Sequence, residues 1–502
     1  MQKKLMVVAV ASALGTIGTT AAYAQGSSVQ IYGTIATALE GAQAKGADTS
    51  VTGQSSLRGN NVGGAATPFN TVGSGYSATP AQRDFRMRVI SSGSNFGIRG
   101  REDLGSGLYA GFQAEAAITL GGNGAQTSGT GGTVATWRNT GVWVGGNAWG
   151  EVGWGMWDTP YNINMGLAPA HAAYASASTT MVAGILGILP TPGAGTISGY
   201  TVDAQCNPGA VVVGSTGTVN VANLTFGNSA ATCFNWGTSF HRRVSNSFWY
   251  QSPSWAGFRL RLHYGAPGNQ TTPTTGSGQL GTPSKLNPTL YGASASYTLG
   301  GFYGGIGWEQ HKDYLAGAAR YFSASGLNGL TLGGQVIVPG LFNTTAAIPG
   351  NIVSGSTDNA YNVNLRYTFG FGLSIGGYWE KLKYSVDYAA FQAGNLTDLD
   401  KTSWRADAAY QIGPHTIGLQ YGSANNLKGT TTAAQFDGSN TAGNVWILGY
   451  AYSLSKRTSL FAYYTRVSNQ ANAAYSGIVF SGVGPVAGAD PRYTGVGLRH
   501  TF

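Results

Sequence analysis

The chain reads as an all-β protein, a transmembrane barrel of about 16 antiparallel strands with short turns at one end and long loops at the other. Three observations predict this. Charged residues make up 9 % of 502, against about 25 % in an ordinary soluble domain. Glycine, at 79 residues, is roughly twice as common as usual, and aromatics reach 12 %. Apolar and polar residues alternate with period two, in segments of about ten residues parted by turn residues.

The same numbers exclude other classes. Past the N-terminal region, no apolar run reaches the roughly 18 residues that a spanning helix needs. The longest later stretch without charge, residues 159–202, is cut by Pro160, Pro169, Pro190 and Pro192. An apolar content of 42 % with many aromatics argues against disorder. The formal charge of +9 is spread over strands and loops without a basic tract, so nucleic acid is not an expected partner.

Residues 1–24 read as an export signal: Lys3 and Lys4 give a basic start, Leu5 to Gly18 is apolar, and Ala22-Tyr23-Ala24 is a small-x-small cleavage site. Gln25 then begins the mature chain, and residues 25–502 form one barrel domain. An uncleaved anchor is the alternative. Export permits a disulfide, so Cys206 and Cys233 either pair across one loop or remain two thiols.

Along the chain, Val29, Ile31 and Ile35 share one face of the first strand. In residues 258–264, Phe, Leu, Leu and Tyr alternate with Arg259, Arg261 and His263, and Val363 to Phe369 repeats the scheme. A polar face that carries arginines suits a wet interior, and the apolar face suits lipid. Short turns fall at 102–107, 252–255, 300–301, 370–372, 413–414 and 455–457. Long polar loops are expected near 41–82, 158–240, 266–287, 312–358, 384–402, 425–443 and 469–491. Closure removes the edge strands that would otherwise template aggregation.

Three segments carry a family resemblance: Val29-Gln30-Ile31-Tyr32-Gly33-Thr34-Ile35, the glycine-framed turn of residues 95–108 with Glu102-Asp103-Leu104-Gly105, and Ser245 to Pro253. With a last strand ending in Phe502, the chain resembles the trimeric general porins of Gram-negative bacteria, betaproteobacterial ones in particular. The resemblance implies a 16-stranded barrel in the cell outer membrane, short periplasmic turns, long extracellular loops, and a third loop folded inward as a constriction. It implies a homotrimer that meets outer-membrane lipid and lipopolysaccharide and needs no cofactor. It also implies that the barrel-assembly machinery recognises Phe502, which is equally an ordinary interfacial aromatic.

A passive pore selects by its width and its charged lining. Parity places Arg86, Arg88, Arg138, Arg243, Arg259, Arg261, Arg366 and Arg405 on the interior face, and Glu115 and Asp158 near them. Alternatively these arginines form a solvated face neutralised by Glu115, Glu309 or Asp407. The third loop departs from the family, which usually sets acidic residues there: Asp158 opens it, and Asp203 is the only formal charge from Thr159 to His241. A basic wall facing a nearly neutral loop predicts a preference for anions. The apolar run Met181 to Leu189 leaves the loop's path open.

Other signals are weak. Gly372-x-Ser-x-Gly376 has nucleophile-elbow spacing but lies in an alternating strand, and no credible catalytic set stands out. Glu309 and His311 share a face, but two ligands do not make a metal site. Trp143, Tyr250, Trp308, Trp379, Trp446 and Tyr450 are expected to face outward in interfacial girdles, with a sugar-stacking slide as the alternative. The leading expectation is a water-filled channel for passive diffusion of small hydrophilic solutes. The alternatives are a substrate-specific channel for small organic anions and a barrel adhesin with a plugged interior.

Overall fold

A computed structural model describes residues 28–45, 83–91, 93–118, 135–173, 185–188, 240–265, 289–312, 331–332, 335–336, 356–386, 396–431, 440–470, 473, 475 and 488–502. The export segment and both cysteines lie outside them, as do large parts of the expected long loops. The barrel strands are β1 (Ser28–Lys45), β2 (Arg83–Ser91 and Asn95–Gly105), β3 (Leu108–Ile118), β4 (Ala135–Trp137 and Thr140–Gly146), β5 (Gly150–Asp158), β6 (Arg243–Gln251), β7 (Phe258–Gly265) and β8 (Thr289–Leu299). They continue as β9 (Phe302–Lys312), β10 (Ser356–Thr368), β11 (Leu373–Val386), β12 (Leu396–Ile412), β13 (His415–Ala424 and Lys428–Thr431), β14 (Gly443–Ser453), β15 (Thr458–Asn469) and β16 (Asp490–Thr501). Each pairs antiparallel with the next, and β16 closes on β1 from Thr34↔Thr501 to Lys45↔Asp490. The barrel therefore has 16 strands.

The interruptions inside β2, β4 and β13 are mended locally. Between the two segments of β2, the Ser94 hydroxyl accepts from the Ala36 amide and donates to the Ala36 carbonyl, both at 2.9 Å. In β4 the Arg138 amide reaches the Glu115 carbonyl at 2.8 Å, and in β13 the Asn425 amide reaches that of Thr402 at 2.9 Å. Backbone groups left by the breaks thus keep partners, as a membrane span requires.

The period-two pattern decides which face is which. Val29, Ile31, Phe85, Met87, Val89, Leu262, Ile306 and Leu365 are all exposed on the outer side. A soluble surface does not carry apolar area on that scale, so this belt faces lipid. Several strands outrun the sequence expectation: β1 continues through residues 41–45, β12 starts at Leu396 inside the loop expected at 384–402, and β11 enters that loop as far as Val386. Alternation weakens there because the chain has left the apolar belt, while the backbone ladder continues.

The inner face explains some of the glycine. Aromatic rings lie over glycines on neighbouring strands, in the place a methyl group would fill. A Cβ on Gly111 would sit 2.4 Å from the Trp143 ring, and one on Gly153 would sit 2.1 Å from that of Trp249. Gly145 beneath Tyr109 (2.3 Å) and Gly97 beneath Tyr32 (2.5 Å) repeat the arrangement. Trp143 therefore faces inward, a correction to the expected girdle position. Its neighbours Val142 and Val144 are as apolar as it is, so parity alone did not settle its face; the slot at Gly111 does.

The third long loop leaves β5 at Asp158 and returns at Arg243. Its described parts line the inner wall. Helix α1 (Pro160–Met165) starts at Thr159, whose hydroxyl accepts from the Asn162 amide at 3.2 Å, with Pro160 in the first turn. It packs across β7 to β10, and a 3₁₀ turn (Pro169–Ala173) packs across β11 to β14.

Candidate functional site

The inner wall from β9 to β12 is a docking strip for the third loop. Tyr161 donates to Glu380 at 2.8 Å, and the Gly187 amide donates to the same carboxylate at 2.9 Å. Asn364 donates to the Asn164 and Leu167 carbonyls, both at 2.7 Å, and Asn362 to the Tyr161 carbonyl at 3.0 Å. Arg405 spreads its guanidinium over the Met165 (2.9 Å) and Leu167 (3.1 Å) carbonyls while its Nε holds Asp407 at 3.1 Å. The Lys401 ammonium donates to the Ile188 carbonyl at 2.6 Å, also reaches that of Ile185, and lies 3.8 Å from Glu380. Where the loop returns, Phe240 stacks on His311 at 4.3 Å, and Arg242 lies 4.0 Å from Glu309. Burial and the adjacent Glu380 carboxylate push the Tyr161 hydroxyl well above its usual range, so it stays a donor.

The wall from β2 to β7 is different. Towards the long-loop end, Arg138 is paired with Glu115, and Arg243 meets Asp158 at 3.2 Å and Asn139 at 3.1 Å. Tyr32 donates to the same Glu115 at 3.0 Å. Towards the short-turn end, Glu151 accepts from Tyr109 (3.2 Å) and Gln251 (3.1 Å), and Gln251 in turn accepts from Arg261 at 2.8 Å. Arg259 stands two residues from Arg261 on β7, about 6.6 Å along the strand. Arg99 and Arg101 are exposed in the interior, with their guanidinium groups over Tyr32 (4.8 Å) and Tyr109 (3.7 Å). Between the two charged ends lies an aromatic cluster: Trp157 stacks on Trp249 at 5.0 Å, and Trp143 meets them at 5.9 and 6.0 Å.

A family model for Gram-negative porins matches residues 8–387 and 371–472. The chain belongs to the Gram-negative porin family. An outer membrane porin protein of Bordetella pertussis is 23 % identical over 424 residues, covering 82 % of this chain and 83 % of its own length. Among solved structures, an anion-selective porin from Comamonas acidovorans aligns with a TM-score of 0.53 at 19 % identity, covering 95 % of this chain and all of its own (100 %). A trimer form of OmpT from Vibrio cholerae aligns at 0.49 with 13 % identity, over 95 % of this chain and 100 % of its own. The porin is an outer-membrane channel protein.

The residues expected to line the pore fall into four situations. Arg86 and Arg88 stand opposite Ala42 and Glu40 in the β1 register, and their side chains lie outside the described residues. Arg138, Arg243, Glu115 and Asp158 form ion pairs on one wall of the porin. Arg259, Arg261 and Arg366 face the interior, Arg366 over Tyr303 at 5.4 Å. Arg405 has the expected face but only 2 % exposure, and the third loop covers it. Phe502 exchanges backbone hydrogen bonds with Gly33 at 3.2 and 3.1 Å, joining the two chain ends of the barrel.

Sequence reasoning missed Arg99 and Arg101, which sit in the glycine-framed segment read only as a family motif. It also missed Asn362, Asn364, Glu380 and Lys401 as loop anchors. Asn362-x-Asn364 carries the signal of two amides on one interior face, but nothing local says what they bind.

Proposed function

We propose that this porin passes small hydrophilic solutes by diffusion and prefers anions. One observation carries the reading. Arg101, Arg259 and Arg261 surround one interior carboxylate, Glu151, and Arg99 lines the same wall, whereas the carboxylates behind the third loop, Glu380 and Asp407, are buried against Lys401 and Arg405 and so add no charge to the bore. The water-facing lining is therefore basic in excess. A fixed cationic field in a narrow, low-dielectric bore raises the local concentration of anions. Guanidinium groups keep that charge at any working pH. The anion selectivity named for the Comamonas porin supports the same sign.

The test is the reversal potential of a single channel in a salt gradient. An anion-selective sign is expected, and Arg259→Glu with Arg261→Glu moves it toward the cation side. A cation-selective sign in the unaltered protein sinks the reading. We further propose that residues 1–24 are removed on export and that the mature chain forms homotrimers. N-terminal sequencing that begins at Gln25, and a native mass of three barrels, are the expected results.

A further inference from the structure

We propose that Trp143, Trp157 and Trp249, with Arg261, form a subsite inside the channel for a small aromatic carboxylate, a planar ring bearing one anionic group. The ligand class deepens the anion preference and rests on it. The three tryptophans come from adjacent strands β4, β5 and β6 and sit together on the inner wall, with ring centroids 5.0–6.0 Å apart. Two of them lie over glycines, Trp143 on Gly111 and Trp249 on Gly153, so both rings lie against the wall, and Trp157 stacks on Trp249. Trp143 and Trp157 are only half-buried, and Trp249 backs them at 7 % exposure.

Four interior tyrosines, Tyr32, Tyr109, Tyr303 and Tyr378, already carry an arginine of the same chain on their rings. Among the described residues no cation stacks on these tryptophans, and the part of Trp143 and Trp157 left exposed is the surface a solute meets. The buried indole Nε1 of Trp249 also has no hydrogen-bond partner among the described residues. A buried indole N–H normally finds an acceptor. The charge partner is close by register. Trp249 pairs with His263 and Gln251 with Arg261, so the Arg261 backbone is one inward-facing position along the wall, about 6.6 Å, and its guanidinium donates to Gln251 there. A ring on the indoles thus leaves its carboxylate toward Arg261 and Arg259. Neutral sugars match the stacking surface but make no use of the arginines.

The test is single-channel recording with benzoate, cyclohexanecarboxylate, acetate and glucose 6-phosphate in turn. Benzoate is expected to interrupt the current with the longest dwell time. Trp143→Leu and, separately, Trp157→Leu shorten that dwell by about 3- to 10-fold and leave the reversal potential unchanged. Heat-modifiable gel mobility confirms that each variant still folds as a barrel. Equal block by benzoate and cyclohexanecarboxylate overturns the subsite. So does a longer dwell for glucose 6-phosphate, or a dwell unaffected in both folded variants. A cation-selective reversal potential accompanied by tryptophan-dependent benzoate block removes the general anion preference and keeps the subsite.

Discussion

Lys401 and Glu380 show how much one residue pair does here. Both are fully buried, and between them they hold the Ile185, Gly187 and Ile188 backbone and the Tyr161 hydroxyl. Removing one member strands the other without its counter-charge, at a cost of about 3–5 kcal/mol. Lys401→Met is expected to loosen the third loop, seen as flicker in the single-channel current with the barrel still heat-modifiable. Adding Glu380→Gln recovers part of the loss, so the double variant is milder than the sum of the singles. Gly155 is the second sensitive position. Its φ of +142° belongs to a region open essentially to glycine, and a Cβ there would sit 2.3 Å from the Thr140 carbonyl oxygen. Gly155→Ala is expected to cost about 1–3 kcal/mol and to lower the temperature at which the barrel changes gel mobility.

At the scale of elements, the third loop is held by the wall it crosses more than by its own structure. A helix of 6 residues is too short to persist alone, and what fixes α1 is the set of side chains beneath it. Arg405→Ala frees the Met165 carbonyl and leaves the Leu167 carbonyl to Asn364 alone. It is expected to raise both the mean conductance and its variance, measured on single channels. The strands were legible in the sequence because lipid on one side and water on the other impose period two on each of them. Val29 to Ile35 and Phe258 to Tyr264 fall on β1 and β7 with the expected faces. The loop path was not legible. Asn362, Asn364, Glu380 and Lys401 sit about 200 residues from what they bind, and their spacing along their own strands is that of any wetted lining. Arg405 looked like a pore charge for the same reason: parity gives the face of a side chain, not what lies on top of it.

The whole molecule depends on closure. Phe502 meets Gly33 through two backbone hydrogen bonds, and its ring fills the space a Cβ on Gly33 would need. Phe502→Ala is expected to lower the fraction of chains that reach the compact, heat-modifiable form in membranes, measured by gel shift. The barrel class was readable because low charge, the lack of a long apolar run past the N-terminal region and the period-two alternation together leave a closed sheet as the way to cross a membrane. The charge balance of the open bore was not, since it depends on which charges of either sign the third loop covers. The glycine paving under the inner aromatics has a further consequence. A ring lying flat takes up its thickness, whereas one standing on a Cβ takes up its length. Each such glycine therefore widens the cross-section through which solutes pass, and throughput in a narrow tube rises steeply with radius. Glycine content in this wall thus sets a permeation rate, and Gly111→Ala or Gly153→Ala acts as a throttle without adding or removing a charge.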